Sequence, residues 1–178
     1  LLKEKGIFKI KPGQFDSISG DISKIDEIEF IDQNPIGTSS RSNPVTYLKI
    51  YDDIRNLYSS LKLSKLNNYK AKHFSFNVDG GRCENCKGEG NVKIEMQFMA
   101  DVSLVCENCK GKRFKNEILK VKYHKKTIDD ILTMTVDEAI IFFSLHENKK
   151  ISNKLKPLQD VGMGYVQLGQ SSSTLSGG

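Results

Sequence analysis

All four cysteines fall in two identical steps, Cys83-Glu-Asn-Cys86 and Cys106-Glu-Asn-Cys109, with nineteen residues between Cys86 and Cys106. Two C-x2-C turns at this separation form the pattern of a four-thiolate zinc site. Zn2+ takes four soft ligands tetrahedrally, and each turn can present two sulfurs at about 2.3 Å. A Lys-Gly follows each pair, so Cys-Glu-Asn-Cys-Lys-Gly occurs at 83–88 and again at 106–111. The repeat predicts two like knuckles facing each other across one metal, with glycine at positive φ and backbone N–H groups bonding the sulfurs. Disulfides and a redox C-x-x-C are the competing readings. The chain shows no secretion signal, and a redox motif stands singly at a helix start, so both give way to zinc. With four protein ligands the metal is expected to be structural rather than catalytic.

The elements that must position these knuckles are legible in the periodicity. Val92, Ile94, Met96 and Phe98 alternate with Lys93, Glu95 and Gln97, which predicts a half-buried strand. Ile118–Tyr123 and Phe74–Val78 are two further candidate strands, giving a ribbon of short strands on a basic neck. Asn43 and Pro44 read as N-cap and first residue of one long amphipathic helix carrying Tyr47, Ile50, Tyr51, Ile54, Leu57, Tyr58 and Leu61. Its aromatics are read as core and not as a base-stacking platform. Thr127-x-x-Asp130 and Thr135-x-x-Glu138 are capping boxes opening helices near 128–133 and 136–145, and a further helix near 151–161 ends at Gly162. Ile131–Glu138 imitates an apolar strand ending in catalytic carboxylates. The capping box explains Thr135 and Glu138 more simply, so Asp137 and Glu138 are helix N-terminal charges. His73, His124 and His146 have no metal-ligand or triad partner in the sequence pattern.

Composition bounds the rest. With 178 residues, 38% apolar and 28% charged, the chain suits one domain or one domain with a small insert, not a disordered polymer. No run approaches a membrane span, and Lys3, Glu4, Lys5 and Lys9 spoil a signal peptide, so a cytosolic chain is expected. The net charge of +5 is unevenly placed: Asp16–Asp32 carries −5 and Lys110–Lys126 carries +7. The basic stretch is suited to a polyanion such as nucleic acid, and equally to a solvated surface with excess lysine. No G-x-x-x-x-G-K-[ST] phosphate loop occurs. The chain has no initiator Met and stops at Gly178 as if entering a structured turn, so we expect a fragment.

Thr174-Leu-Ser-Gly-Gly178 resembles the opening of the ABC-ATPase signature. Together with Ile31-Asp-Gln-Asn-Pro-Ile-Gly37, Arg41-Ser-Asn-Pro44, Phe74-Ser-Phe-Asn77, Gly80-Gly-Arg-Cys83, Ile94-Glu-Met96, Met134-Thr-Val136, Asp160-Val-Gly162 and Leu168-Gly-Gln170, it resembles the UvrA family. These are the damage-recognition ATPases of bacterial nucleotide excision repair. The resemblance runs from about Asp26 onward and implies an α+β fold: a partial ABC-ATPase cassette, the signature domain, with an inserted four-cysteine zinc ribbon. It divides the chain into a core segment at 1–37, a helical segment at 38–79, the zinc ribbon at 80–115 and a helical segment at 116–178. The compact cysteine spacing resembles the second, C-terminal cassette.

The same resemblance assigns roles. Gln33 matches the Q-loop glutamine that helps organise Mg2+ and the attacking water. Ser176, Gly177 and Gly178 match the signature that contacts ATP held by the opposite cassette. Cys83, Cys86, Cys106 and Cys109 match the zinc ligands. Implied partners are lesion-bearing double-stranded DNA, UvrB and a second UvrA. Thr38 and His73 stand where the family usually has arginine, and Met99-Ala100 where it has Leu-Pro. Lys70, Lys72 and Arg82 can supply the missing charge, and with Arg41, Lys112 and Arg113 they are the candidate DNA contacts. The resemblance places the nucleotide-binding lysine and the catalytic carboxylate outside these residues, so no hydrolysis is expected from the chain by itself. The alternatives are a free-standing zinc-ribbon nucleic-acid binder and an Hsp40-like zinc chaperone module, which the two knuckles satisfy only by half.

Overall fold

The computed structural model describes residues 14–17, 19–26, 41–96, 98 and 101–175. Gln33, Thr38, Met99, Ala100 and Ser176–Gly178 lie outside them. Two units are distinguished, Leu1–Asn34 and Pro35–Gly178. In the first, the described residues make one 3-10 turn, Ile22–Lys24.

The second unit is α+β: helices α1 (Pro44–Tyr47), α2 (Tyr51–Ser60) and α3 (Lys62–Leu66), strands β1 (Asn91–Ile94) and β2 (Val102–Val105), then helices α4 (Asn116–Leu119), α5 (Ile128–Thr133), α6 (Val136–Leu145) and α7 (Lys149–Asp160). Three capping boxes begin helices where the sequence placed them. Asn43 accepts from Thr46 N–H at 3.1 Å with Pro44 first in the helix, and Thr127 pairs with Asp130 and Thr135 with Glu138 in the same reciprocal way. The Thr135 box confirms that Asp137 and Glu138 open a helix. Gly162 follows the end of α7 at φ +79.

The core is a single apolar cluster gathered from α2, α5, α6 and α7 together with Phe74, Phe76, Phe114, Ile118, Val121 and Leu168. Tyr51 and Tyr58 belong to it, as expected of core aromatics. Burial drives both phenols well above the usual tyrosine range, and each donates to a main-chain carbonyl, Phe74 O at 2.7 Å and Lys126 O at 2.8 Å. Asp53 on α2 receives Lys150 and Lys154 of α7, each at 2.7 Å. Burial alone would raise its pKa, and these two ammonium groups overcome that and hold it down.

Four expectations are corrected. The long helix from Pro44 is broken: Lys49 turns at φ +54, separating α1 from α2 and leaving Tyr47 exposed. Phe74–Val78 is not a strand, because Phe74 closes a 3-10 turn and Phe76 inserts into the core. Ile118–Tyr123 starts inside α4, and the residues it buries, Ile118 and Val121, stand three apart as in a helix and not two apart as in a strand. The strand at Val92 is shorter than expected and hardly buried: Ile94 and Met96 are exposed, and Phe98 is 95% exposed. β1 and β2 pair antiparallel, Val92 opposite Leu104 and Ile94 opposite Val102. Among the described residues no helix is long and apolar enough to cross a membrane.

Candidate metal centre

The stretch from Arg82 to Phe114 leaves and rejoins the helical body at one point. Arg82 and Phe114 are bridged antiparallel, and Lys115 N–H donates to Gly81 O at 2.9 Å. Gly81 and Gly88 permit this seat, since a Cβ at Gly81 would collide with the His73 carbonyl and one at Gly88 with the Phe76 carbonyl.

Within the stretch the two knuckles share one backbone. Lys87 and Gly88 take φ +50 and +86, and Lys110 and Gly111 take +51 and +83. Glycine was expected to be left-handed there; the lysine before it is left-handed as well. The knuckles exchange equivalent bonds across a pseudo-twofold axis. Cys83 N–H donates to Arg113 O at 2.8 Å, and Cys106 N–H to Gly90 O at 2.9 Å. The asparagines cross over too: Asn85 Nδ2 donates to Cys106 Sγ at 3.4 Å and Asn108 Nδ2 to Cys83 Sγ at 3.6 Å. This role of Asn85 and Asn108 was not read from the sequence, although their identical place in both repeats was the available signal.

The four sulfurs lie within 4.8 Å of one another, and all four cysteines are buried and free of disulfides. Cys83 Sγ lies 3.9 Å from Cys106 Sγ, and Cys86 Sγ 3.6 Å from Cys109 Sγ. Tetrahedral ligation at ~2.3 Å spaces sulfurs by about 3.8 Å, so the donor set fits a thiolate-bound metal ion. Gly90 N–H adds a bond to Cys86 Sγ at 3.3 Å. Without a metal the cluster titrates unevenly. The Cys109 N–H bond, assisted by the Asn85 amide and opposed by burial, holds Cys106 down at about 6; burial pushes Cys109 up to about 12. Four anionic sulfurs cannot share this volume unless a cation neutralises them.

The cysteines and Val92 form a cluster separate from the main core. The β1–β2 hairpin therefore has almost no apolar support of its own, and a metal is the only cross-link the four cysteines can supply without disulfides.

The candidate DNA-contacting residues divide by what their side chains already do. Lys70, Lys72 and Lys112 are exposed. Arg82 binds Asp79 at 2.7 Å and the carbonyls of Asn77 and Lys87, both at 3.2 Å. Arg41 donates to Lys87 O at 3.3 Å and faces Glu89 at 3.7 Å. Arg113 donates to Gly169 O at 3.0 Å and lies over the Phe76 ring at 5.6 Å. His124 and His146, which had no partner in the sequence, stack on each other with ring centroids 3.6 Å apart.

Over 171 residues the chain is 57% identical to UvrABC system protein A of Clostridium acetobutylicum, covering 96% of the chain and 18% of that protein. UvrABC system protein A of Clostridium tetani is 55% identical over 178 residues, covering 100% of the chain and 19% of that protein. The crystal structure of UvrA2 from Deinococcus radiodurans matches with a TM-score of 0.82 at 44% identity, over 89% of the chain and 19% of that chain. Nearly the whole chain is similar to UvrA proteins. No protein-family model matches it. It spans about a fifth of the length of the curated UvrA relatives it matches.

Proposed function

We propose that the chain serves nucleotide excision repair as part of a UvrA protein, acting as a zinc-stabilised DNA-binding module joined to an ATP-contacting turn. The observation that supports this best is the 53–57% identity to UvrA proteins over nearly the whole chain. We assign Cys83, Cys86, Cys106 and Cys109 to one structural Zn2+. When bound, the ion supplies a cross-link and no reactive position. The residues around it do the remaining work: Asn85, Asn108 and the Gly90 N–H spread the thiolate charge, and the bridged exit at Arg82 and Phe114 fixes the module to the helices.

In this reading Gln33 and Ser176–Gly178 contact ATP and Mg2+ within an assembled UvrA dimer. The cassette is the second, C-terminal one, and the segments divide at 37, 79 and 115. Lesion-bearing duplex and UvrB are the partners, and the cytoplasm is the location. Lys70, Lys72 and Lys112 carry the phosphate contacts, because their ammonium groups are in solvent. Arg41, Arg82 and Arg113 have a smaller part in DNA binding, since their guanidinium donors are already bonded within the fold. Phosphate contacts position a protein without reading sequence, as a damage sensor with no fixed target requires.

The test is fluorescence anisotropy of the zinc-loaded chain with plain and lesion-bearing duplexes across a salt series. Binding that strengthens at low salt, weakens after zinc removal and loses about 0.9 of its log–log salt slope per lysine replaced supports the assignment. Absence of binding by a folded, zinc-loaded chain refutes the proposal that this segment holds DNA.

A further inference from the structure

The repeat of the knuckles breaks at two positions, Glu89 against Lys112 and Gly90 against Arg113, and the second of these changes the cost of the backbone. Gly90 and Arg113 are equivalent, each being the eighth residue of its knuckle and each offering its carbonyl to the first cysteine of the other. Gly90 sits at φ +83 and Arg113 at φ +66. Glycine takes this conformation freely, whereas a residue with a Cβ does so at a cost. Strain retained at one of two equivalent places calls for a compensating contact.

The Arg113 side chain supplies that contact. Besides stacking over Phe76, it bonds the carbonyl of Gly169, where the packing is tight: a Cβ there would lie 3.0 Å from Leu132 Cβ and 3.2 Å from Arg113 Nη1. Gly169 belongs to a strip whose other bonds are short and specific. Gly169 N–H donates to Leu132 O at 2.7 Å, Leu168 N–H to Met134 O at 2.9 Å, and Ser172 N–H to Ser42 O at 2.7 Å. Beside Ser42 stands Arg41, which returns to the first knuckle through Lys87 O and Glu89. Each knuckle is thus joined by one arginine to the strip 168–172 or to its bonding neighbour. The strip runs directly into Thr174-Leu-Ser-Gly-Gly178.

We infer that Arg113 and Arg41 are positioning residues that couple metal occupancy of the knuckles to the conformation of the strip at 168–175. The coupling rests on the proposed metal centre, and its consequence for nucleotide on the proposed signature turn. With metal bound, the Cys83–Arg113 bond holds Arg113 in register, and the guanidinium holds Gly169. When the knuckles part, that carbonyl and the Ser42–Ser172 bond lose their support. Linkage makes the effect reciprocal: a ligand that fixes the strip tightens metal binding.

The experiment is residue-resolved amide exchange on the whole 178-residue chain, zinc-loaded and zinc-stripped. In the unmodified chain, stripping should accelerate exchange at Gly169 and Ser172 by about 5- to 150-fold, the range of ordinary site–site coupling. In Arg113→Gly, which relieves the left-handed strain, and in Arg41→Gln, this zinc dependence should shrink to within about 2-fold, while Cys106 and Gly90 amides still respond to zinc. Arg113→Lys, expected to preserve folding, should show an intermediate response. Unmoved Gly169 and Ser172 amides beside zinc-responsive knuckle amides would overturn the coupling alone. Knuckle amides that ignore zinc would overturn the metal centre and the coupling together, as would variants that respond like the parent overturn the assignment to these arginines.

Discussion

Replacing Asn85 or Asn108 by alanine should weaken zinc binding without touching a ligand. Each amide reaches across the pseudo-twofold axis to a sulfur of the other knuckle, at 3.4 Å for Asn85 and 3.6 Å for Asn108. A hydrogen bond to an ionised acceptor contributes about 1.5–3 kcal/mol. Both asparagines are exposed residues, so water replaces part of the lost bond, and the low end applies. At about 1.4 kcal/mol per decade, each alanine should lower zinc affinity about 10-fold, with Asn85→Ala the larger effect because its bond is shorter. Aspartate sharpens the test: it keeps the shape but faces the thiolate with a second negative charge, so Asn85→Asp should bind zinc more weakly than Asn85→Ala. Competition against a chromogenic chelator at fixed pH measures all of these, with circular dichroism to confirm that the helices persist. Affinities of both alanine variants within about 2-fold of the parent, or an aspartate variant as tight as the parent, would refute the charge-spreading role.

Zinc removal should melt the hairpin while leaving most helical signal, because the four cysteines and Val92 form a cluster apart from the main core; loss of the entire far-ultraviolet helical signal would contradict that separation. Gly162→Ala should cost about 1–2 kcal/mol, since φ +79 is its sole obstacle, whereas Gly88→Ala should cost clearly more because its Cβ also meets the Phe76 carbonyl; urea unfolding compares them. Burial raises Asp129 to about 6, above its unfolded value, so its contribution is fully present below about pH 4 and lost as pH rises through 6. Asp129→Asn should therefore be more stable than the parent at pH 8, by a margin that shrinks toward pH 4, as followed by urea midpoints.

Local chemistry was legible in the sequence wherever a short pattern determines its own geometry. The thiolate cluster, the caps at Asn43, Thr127 and Thr135, and the left-handed glycines of the knuckles are of this kind. Patterns whose meaning depends on distant neighbours were less so. Alternation from Val92 to Phe98 marks a strand, but nothing in it reveals that Ile94, Met96 and Phe98 stay exposed. Tyr47 through Leu61 keeps helical spacing across a break at Lys49 that only φ +54 discloses. Leu119, Val121 and Tyr123 alternate with Lys120 and Lys122 as a strand face would, yet the buried pair is Ile118 and Val121, three apart, as a short helix and the turn after it require. Among the basic residues, charge was legible and employment was not. Arg113 reads as one more cation in a lysine-rich run, yet its guanidinium is taken up by Gly169 and Phe76.

Gly81 and Lys115 are hydrogen-bonded neighbours although thirty-three residues separate them, and Arg82 and Phe114 are bridged beside them. A body whose chain departs and returns at the same doorway does not register how much polypeptide lies outside it. Lengthening or shortening the excursion alters a loop-closure entropy that grows only with the logarithm of length. Such a port suits repeated evolutionary rebuilding of the exterior tip against a constant interior, and it offers a place to graft a reporter without disturbing the helices.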